Sequence, residues 1–221
     1  MNRFFLVVPS ILISEIAWMG GPAQGVDEKQ WWRYEWLELF NVSEQSLRID
    51  GWSVELSRDK LDFSIPLAGT IPPKGYFVMG ASDKISHADI SYGNLAGKFN
   101  NAGQLVALKD AKGEIVDSID AISGWPAGNN KGKYTMERKN GLPADEAGWQ
   151  TSFIASGTPG AKNSESSFIS KENRKDPAES FQNHLNIFQK PFAIASLAAV
   201  LSAALFVAAR RRLVFPPNRR V

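Results

Sequence analysis

Apolar and polar side chains alternate along residues 35–41, and the alternation returns at residues 47–56 after a polar break. A period of two places successive side chains on opposite faces of a strand, so each segment has one face to bury. The pattern predicts two half-buried antiparallel strands joined by a short polar loop. No segment before residue 180 has a long 3.6-residue period, so long helices are not expected in this part of the chain.

Further short strands are predicted around this pair, at residues 11–18, 61–66, 76–79, 104–109, 114–119 and 134–139. Residues 81–103 have the composition of a polar loop. In the turn at residues 70–75, proline presets φ, and Gly75 is expected to take the positive φ. Short strands separated by Gly, Pro and Asn predict an all-β fold, an antiparallel β-sandwich over residues 11–163.

The first residues of the chain allow two interpretations. Arg3 precedes an apolar run and small residues follow at positions 21–23, as in a secretory signal. Residues 11–18 also alternate as a first strand does, which would leave residues 1–10 as the remnant of an export signal. We favour the strand.

The composition changes after the predicted sandwich. Residues 164–190 are rich in polar side chains and have too little apolar surface to repay ordering, which predicts a flexible tether. Residues 191–209 carry no charge, and their length predicts a single transmembrane helix, with a buried amphipathic helix as the alternative. The basic tail at residues 210–221 begins with Arg210, Arg211 and Arg212. By the positive-inside rule, this tail is cytoplasmic and the sandwich lies outside the cell membrane.

Charge and cysteine content exclude several classes of protein. The chain has no cysteine, so it has no disulfide, no thiolate metal site and no cysteine nucleophile. Residues 10–160 contain 14 Lys and Arg against 19 Asp and Glu, whereas residues 161–221 contain 10 against 4. The excess of basic residues therefore lies in the tail, and the acidic body argues against nucleic acid as a partner.

Five segments, in this order, resemble the lamin tail domain family in its bacterial, membrane-anchored form. They are ISEI at 13–16, EWLELFN at 35–41, IDGWSV at 49–54, IPPKGY at 71–76 and GTPGAKN at 157–163. The resemblance covers residues 11–163 and implies an immunoglobulin-like β-sandwich that binds or scaffolds and has no catalytic residues of its own. The positions to which it assigns a structural role are Glu15, Trp36, Glu38, Asn41, Gly51, Trp52, Gly75, Gly157, Pro159 and Gly160.

Two acidic residues lie among apolar neighbours on predicted strands, Glu15 and Glu38. Paired carboxylates can bind a hard cation or act as acid and base. We favour a structural role, in which they accept hydrogen bonds from the backbone of an adjacent loop. His87 and His184 have no second ligand at metal spacing, so we assign no catalytic, metal or cofactor-binding residue.

Three tryptophans fall in predicted loops, Trp31, Trp32 and Trp125. Exposed aromatic side chains at the end of a sandwich can stack on glycan rings or anchor a protein partner. They can equally fold back over the edge of the core. These three residues are our candidate binding residues, whereas Trp18, Trp52 and Trp149 are assigned to the core.

The leading hypothesis is a non-enzymatic, single-pass surface module that binds or scaffolds a protein or glycan partner and contacts membrane lipid through its C-terminal helix. The alternative is an accessory nucleic-acid-binding module for an exported nuclease or hydrolase. The sequence identifies neither the ligand nor the oligomeric state.

Overall fold

Residues 9–139 and 148–165 are described in the structure, which is a computed structural model. The chain divides into two units, Met1–Ser180 and Phe181–Val221, and every described residue belongs to the first. The strands of this part are β1 (Ile11–Ala17), β2 (Trp36–Asn41), β3 (Leu47–Arg48), β4 (Ser53–Ser57), β5 (Leu61–Pro66), β6 (Thr70–Ile71), β7 (Tyr76–Gly80), β8 (Ala88–Ser91), β9 (Leu105–Lys109), β10 (Ile115–Asp120), β11 (Tyr134–Arg138) and β12 (Trp149–Ala155). Two 3-10 turns lie at Glu28–Arg33 and Gly93–Leu95.

The strands form a larger and a smaller sheet with a two-stranded ribbon. The larger sheet has the order β12-β11-β1-β2-β7-β8, the smaller one β10-β9-β4-β5, and β3 pairs with β6. Pairing is antiparallel except between β7 and β8. This arrangement confirms the predicted all-β sandwich.

The main core contains side chains from the larger sheet and from the smaller sheet. Its fully buried members include Ile13, Ile16, Leu37, Leu39, Val54, Leu56, Ile65 and Leu108. Full burial of one such side chain contributes about 1.5–3 kcal/mol, so this layer holds the sheets together. A second, smaller cluster around Trp36, Val78 and Ile85 lies outside the main core.

A β-bulge in β1 decides which of its side chains enter the core. Strict alternation would place Ile13 and Glu15 on one face, but the register shifts between these two residues. Ile13 and Ile16 therefore both belong to the main core, because the extra residue in a bulge reverses the faces that follow. Glu15 faces the other side of the larger sheet, where it pairs across strands with Glu38 and Glu137.

The prediction that residues 35–41 and 47–56 pair as one hairpin is wrong. β2 pairs with β1 and β7, whereas β4 pairs with β5 and β9 in the other sheet. Gly51 has a φ of +77°, and the turn it allows separates β3 from β4. The chain thus passes from the β3–β6 ribbon into the smaller sheet inside the segment that the pattern presents as one strand.

The turn at residues 70–75 forms where predicted, but the roles of two residues differ. Lys74, not Gly75, has the positive φ, at +54°. The N–H of Gly75 donates to the carbonyl of Pro72 at 3.0 Å. A Cβ on Gly75 would lie 2.5 Å from Cγ of Pro72, so glycine is required here by space rather than by φ.

Three strands were absent from the prediction, and one of them is β6 at Thr70–Ile71, which lies in the segment predicted as a turn. β8 lies within residues 81–103, which read as a loop, and β12 at Trp149–Ala155 had no predicted counterpart. Both are edge strands of the larger sheet. Edge strands bury one face weakly, so their sequence patterns carry little period-two signal.

No helix among residues 9–139 and 148–165 is long and apolar enough to cross a membrane. The predicted transmembrane helix at 191–209, the tail at 210–221 with Arg210, Arg211 and Arg212, and nearly all of the tether lie outside the described residues. Residues 1–8 of the predicted export remnant also lie outside them.

Candidate functional site

Three fully buried glutamates form a row across adjacent strands of the larger sheet. Glu15 on β1 is paired with Glu38 on β2 on one side and with Glu137 on β11 on the other. All three have 0% exposure. We call these residues the glutamate row. Buried carboxyl groups need hydrogen-bond partners, and the row obtains them from one segment that follows β12.

This segment, residues 157–164, is here named the strap, and it gives one backbone amide to each glutamate. The N–H of Thr158 donates to both carboxyl oxygens of Glu15 at 3.1 Å. The N–H of Gly160 donates to Oε2 of Glu38 at 2.6 Å, and the N–H of Ser164 donates to Oε2 of Glu137 at 3.1 Å. The strap therefore covers the row along its full width.

Side chains of the strap add further hydrogen bonds. The Ser164 hydroxyl donates to Oε2 of Glu137 at 2.5 Å. Asn163, also buried, donates through Nδ2 to the carbonyls of Ser14 at 3.0 Å and Arg138 at 2.8 Å. The Thr158 hydroxyl contacts Oε2 of Glu15 at 2.9 Å. These contacts agree with the structural interpretation of Glu15 and Glu38.

Burial dominates the protonation of Glu15 and Glu38. It raises the pKa of Glu15 well above its ordinary value, and the neighbouring Glu137 and Glu38 raise it further. Burial also raises the pKa of Glu38 to about 8, although the Gly160 amide opposes the shift. The pKa of Tyr76 rises to about 12, first because of burial and then because Glu38 and Glu15 lie near it. Neutral carboxyls are thus favoured at Glu15 and Glu38 near pH 7.

One atom of the row lacks a partner. Oε1 of Glu38 is buried and accepts no hydrogen bond from any described residue. The Ser14 hydroxyl donates to Oδ1 of Asn163 at 3.3 Å and lies close enough to the Glu38 carboxyl to lower its pKa. Within the described ranges, no group of three or more acidic, histidine or cysteine residues has an arrangement that could hold a metal ion. The chemistry that the row supports is hydrogen bonding to the strap.

A fourth buried carboxyl, Glu35, binds a different segment. Its Oε2 accepts the backbone N–H groups of Lys98 at 3.0 Å and Phe99 at 3.3 Å. Burial raises its pKa to about 8, and the backbone hydrogen bonds from Phe99, Lys98 and Gly97 oppose the shift. Glu35 therefore fixes residues 97–99 against the start of β2.

Titration of Glu35 is expected to make the fold less stable in alkali. Its pKa rises from 4.5 to about 8 on folding, so the folded chain retains a proton that the unfolded chain releases above about pH 4.5. The contribution to the free energy of unfolding is complete below pH 4.5 and is lost as the pH rises to about 8. Each pKa unit corresponds to about 1.4 kcal/mol.

Melting temperatures measured from pH 5 to pH 9 for the parent and for Glu35→Gln test this prediction. The parent should melt at a lower temperature as the pH rises, and the variant should show a smaller decrease. Equal pH dependence in the two proteins would contradict it.

A buried ion pair joins the two sheets on the other side of β1. Nη2 of Arg138 lies 2.5 Å from Oδ2 of Asp117 on β10, and both side chains are almost fully buried. Asp117 also accepts the N–H of Ile13 at 2.8 Å, while Nε of Arg138 donates to the Ile13 carbonyl at 2.7 Å. The guanidinium lies 4.9 Å from the ring centre of Trp149. The pair satisfies β1 backbone groups next to the bulge.

Other positions from the resemblance also have structural contacts. Asn41 is fully buried, and its Nδ2 donates to the carbonyls of Gln45 at 2.7 Å, Ile71 at 3.0 Å and Pro72 at 3.0 Å. Trp36 is buried in the second cluster, and Trp52 is partly buried against the main core. A Cβ on Gly160 would lie 2.7 Å from Cβ of His87. Pro159 lies between the two strap residues that bind Glu15 and Glu38.

The candidate binding tryptophans differ in exposure. Trp31 is buried at 7% exposure, and its Nε1 donates to the Val26 carbonyl at 3.3 Å. Trp125 is partly buried, stacks on Trp18 with ring centres 5.9 Å apart, and donates to the Asn100 carbonyl at 2.8 Å. Of the two alternatives, packing against the core edge therefore holds for Trp31, because the turn at Glu28–Arg33 directs this ring inward. Trp32 is 47% exposed.

Sequence reasoning identified two members of the row and missed Glu137, Glu35, Asp117 and Arg138. Glu15 and Glu38 stood out because apolar residues flank them. Glu137 precedes Arg138 and Lys139, so it reads as part of a solvated polar stretch. Alternation along β11 was the one available signal, since Thr135 and Glu137 share a face.

Comparison with known proteins identifies one matching family. Residues 7–123 match the family model described as Lamin Tail Domain. No curated protein matches the chain. Among solved structures, it is similar to a DUF4876 family protein from Bacteroides thetaiotaomicron VPI-5482, with 10% identity, a TM-score of 0.43 and coverage of 76% of this chain and 74% of that one. The family match spans more than half of the sequence, and the chain therefore belongs to the lamin tail domain family.

Proposed function

We propose that this lamin tail domain is a non-enzymatic binding module, displayed outside the cell membrane by residues 191–209, with its partner site at Trp32. The partner is a protein or a glycan. The acidic body of the chain weighs against the nucleic-acid alternative.

The exposure of Trp32 carries this proposal. Its neighbour Trp31 is packed inside, so the turn at Glu28–Arg33 presents one indole ring to solvent. The ring rests close to the backbone at Gly97, where an added Cβ would lie 3.2 Å from Cζ3 of Trp32. Glu35 holds the adjoining backbone by accepting hydrogen bonds from the N–H groups of Lys98 and Phe99. A rigid aromatic side chain loses little entropy on binding, as anchors of interfaces do.

Arg33 gives the same surface a polar group. Its guanidinium carbon lies 5.0 Å from the centre of the Trp32 ring. An aromatic ring next to a guanidinium offers an apolar face together with several hydrogen-bond donors. This combination suits sugar rings that bear carboxylates and also acidic protein segments.

Replacing Trp32 by Ala is expected to abolish partner binding with little effect on the melting temperature, because the exposed half of the ring contributes little to stability. Leu61→Ala is the matched control, since Leu61 is 54% exposed on β5. Both variants and the parent should be applied to a glycan array and to cell-envelope proteins, with a photo-crosslinker in place of the exposed Gln30 on the same turn, so that Arg33 is kept. Binding by Trp32→Ala equal to that of the parent would reject the site.

Membrane display has its own test. Intact cells are treated with protease and the released peptides are identified by mass spectrometry. Peptides from residues 31–162 should be released while residues 210–221 stay protected. Release only after lysis would reject the topology and leave the Trp32 site as a separate question.

A further inference from the structure

The strap joins the sandwich to the residues that follow position 165, and the glutamate row holds it in place. Each of the three carboxyl groups receives one of its backbone amides. Gly157 and Gly160 have φ values of +70° and +77°, a region open to glycine that lets the chain pass close to the row. The strap therefore depends on the row for much of its hydrogen bonding.

Negative charge on the glutamate row is energetically disfavoured. Its three carboxyl groups are fully buried side by side, and Oε1 of Glu38 has no partner among the described residues. Ionising adjacent buried carboxyls costs both desolvation and mutual repulsion. Lifting the strap would expose the row to water and remove most of this cost.

We propose that the strap is a proton-controlled latch, closed while Glu15 and Glu38 are protonated and released when they ionise beside Glu137. Release adds eight residues, or roughly 26–29 Å of extended chain, between the sandwich and the sequence that follows. The latch concerns the connection to that sequence and does not depend on the proposed partner site.

Other titratable side chains lie around the glutamate row and the strap. Asp89 on β8 accepts the N–H of Val78 at 2.8 Å and adds negative charge near Glu38. His87 lies against Gly160, and its Nδ1 is 3.0 Å from the Ser86 hydroxyl. Lys162 is exposed and pairs with Glu165 on the strap side. On β7, burial and the nearby Glu38 and Glu15 raise the pKa of Tyr76, so its hydroxyl stays protonated across the pH range in which the two glutamates titrate.

Amide hydrogen exchange of the full chain tests the latch, with each rate divided by the intrinsic chemical rate at that pH. The opening equilibrium of residues 157–164 should rise with pH between about 5 and 8. The rise is about tenfold per pH unit for each carboxyl that loses its proton on opening. Strand β9 should keep its protection throughout, because only the strap opens.

Substitutions identify the groups responsible. Glu38→Gln should reduce the rise of the opening equilibrium of the strap by a factor of about ten per pH unit. In the double variant Glu15→Gln with Glu38→Gln, the opening equilibrium should no longer vary with pH. Glu35→Gln is the matched control, since this buried carboxyl also has a pKa near 8 but binds residues 97–99. It should leave the dependence of the strap unchanged.

Three results would overturn the latch: a strap whose protection does not vary with pH in the parent, a strap that exchanges in step with β9, or an equal effect of Glu35→Gln and Glu38→Gln. The parent measurement decides the first two even if a variant fails to fold.

Discussion

Replacing Asp117 by Ala is expected to lower the free energy of unfolding by about 3–5 kcal/mol, because it removes the negative charge that Asp117 places against the buried guanidinium of Arg138. Both side chains are less than a tenth exposed, and Nη2 lies 2.5 Å from Oδ2. Asp117 also satisfies the N–H of Ile13, so a buried backbone donor loses its acceptor as well. Denaturant unfolding followed by tryptophan fluorescence gives the change.

The pair can be separated from its parts by a double-mutant cycle. Arg138→Met should be similarly destabilising, whereas Asp117→Ala combined with Arg138→Met should cost clearly less than the sum of the two single changes. Glu55→Ala is the matched control. It breaks the ion pair between Glu55 and Lys109, whose N–O distance is similar at 2.6 Å but whose two side chains are each about a quarter exposed. Such a pair contributes about 1 kcal/mol or less. A loss at Asp117 no larger than at Glu55 would contradict the prediction.

Local pattern could identify most of the strands but, apart from neighbours joined by a short turn such as β9 and β10, not their partners. Residues 35–41 and 104–119 alternate, and β2 and the β9–β10 hairpin lie there. The partner of β4 was not predictable in this way, because the turn at Gly51 sends the chain to the other sheet. Pairing between distant strands depends on long-range packing, which the period of one segment does not contain.

Bulges limit what alternation can predict. The register of β10 shifts between Ile115 and Asp117, as that of β1 shifts between Ile13 and Glu15. In β1 the shift reverses the faces, so counting by twos places Glu15 on the core side. In β10 the exposed Ile115 and the buried Ile119 are both two positions from Asp117, so alternation does not decide its side. Asp117 therefore reads as a solvated residue of a hairpin, although it lies between the sheets next to Arg138.

The partners of the glutamate row come from far along the chain. Glu15 and Thr158 are separated by 143 positions. A buried glutamate can be suspected from apolar neighbours, as Glu15 and Glu38 were, but the segment that satisfies it is decided by topology. The resemblance marked Gly157 and Gly160 as structural positions but did not connect them with Glu15 or Glu38, and Glu137 lay outside its motifs.

Replacing Gly157 by Ala is expected to destabilise the fold by about 3–5 kcal/mol, combining backbone strain at positive φ with a clash in a filled space. An added Cβ would lie 1.8 Å from Oε1 of Glu15 and 2.5 Å from Oγ1 of Thr135. Those atoms cannot yield freely, because Thr135 and Thr158 both donate to the same carboxyl group. The strap or Glu15 must therefore move, and hydrogen bonds of the row are lost.

Gly25→Ala separates the two causes, since Gly25 has a φ of +71° and no atom within 4 Å of the added Cβ. It should cost about 1–2 kcal/mol, the strain alone. In the Glu15→Ala background the contact with Glu15 is absent and the contact with Oγ1 of Thr135 remains, so Gly157→Ala should cost less than it does in the parent and more than Gly25→Ala. Thermal and denaturant unfolding of the four variants measure these differences. An equal cost for Gly157→Ala with and without Glu15 would show that backbone conformation, rather than contact with the glutamate row, requires glycine at the start of the strap.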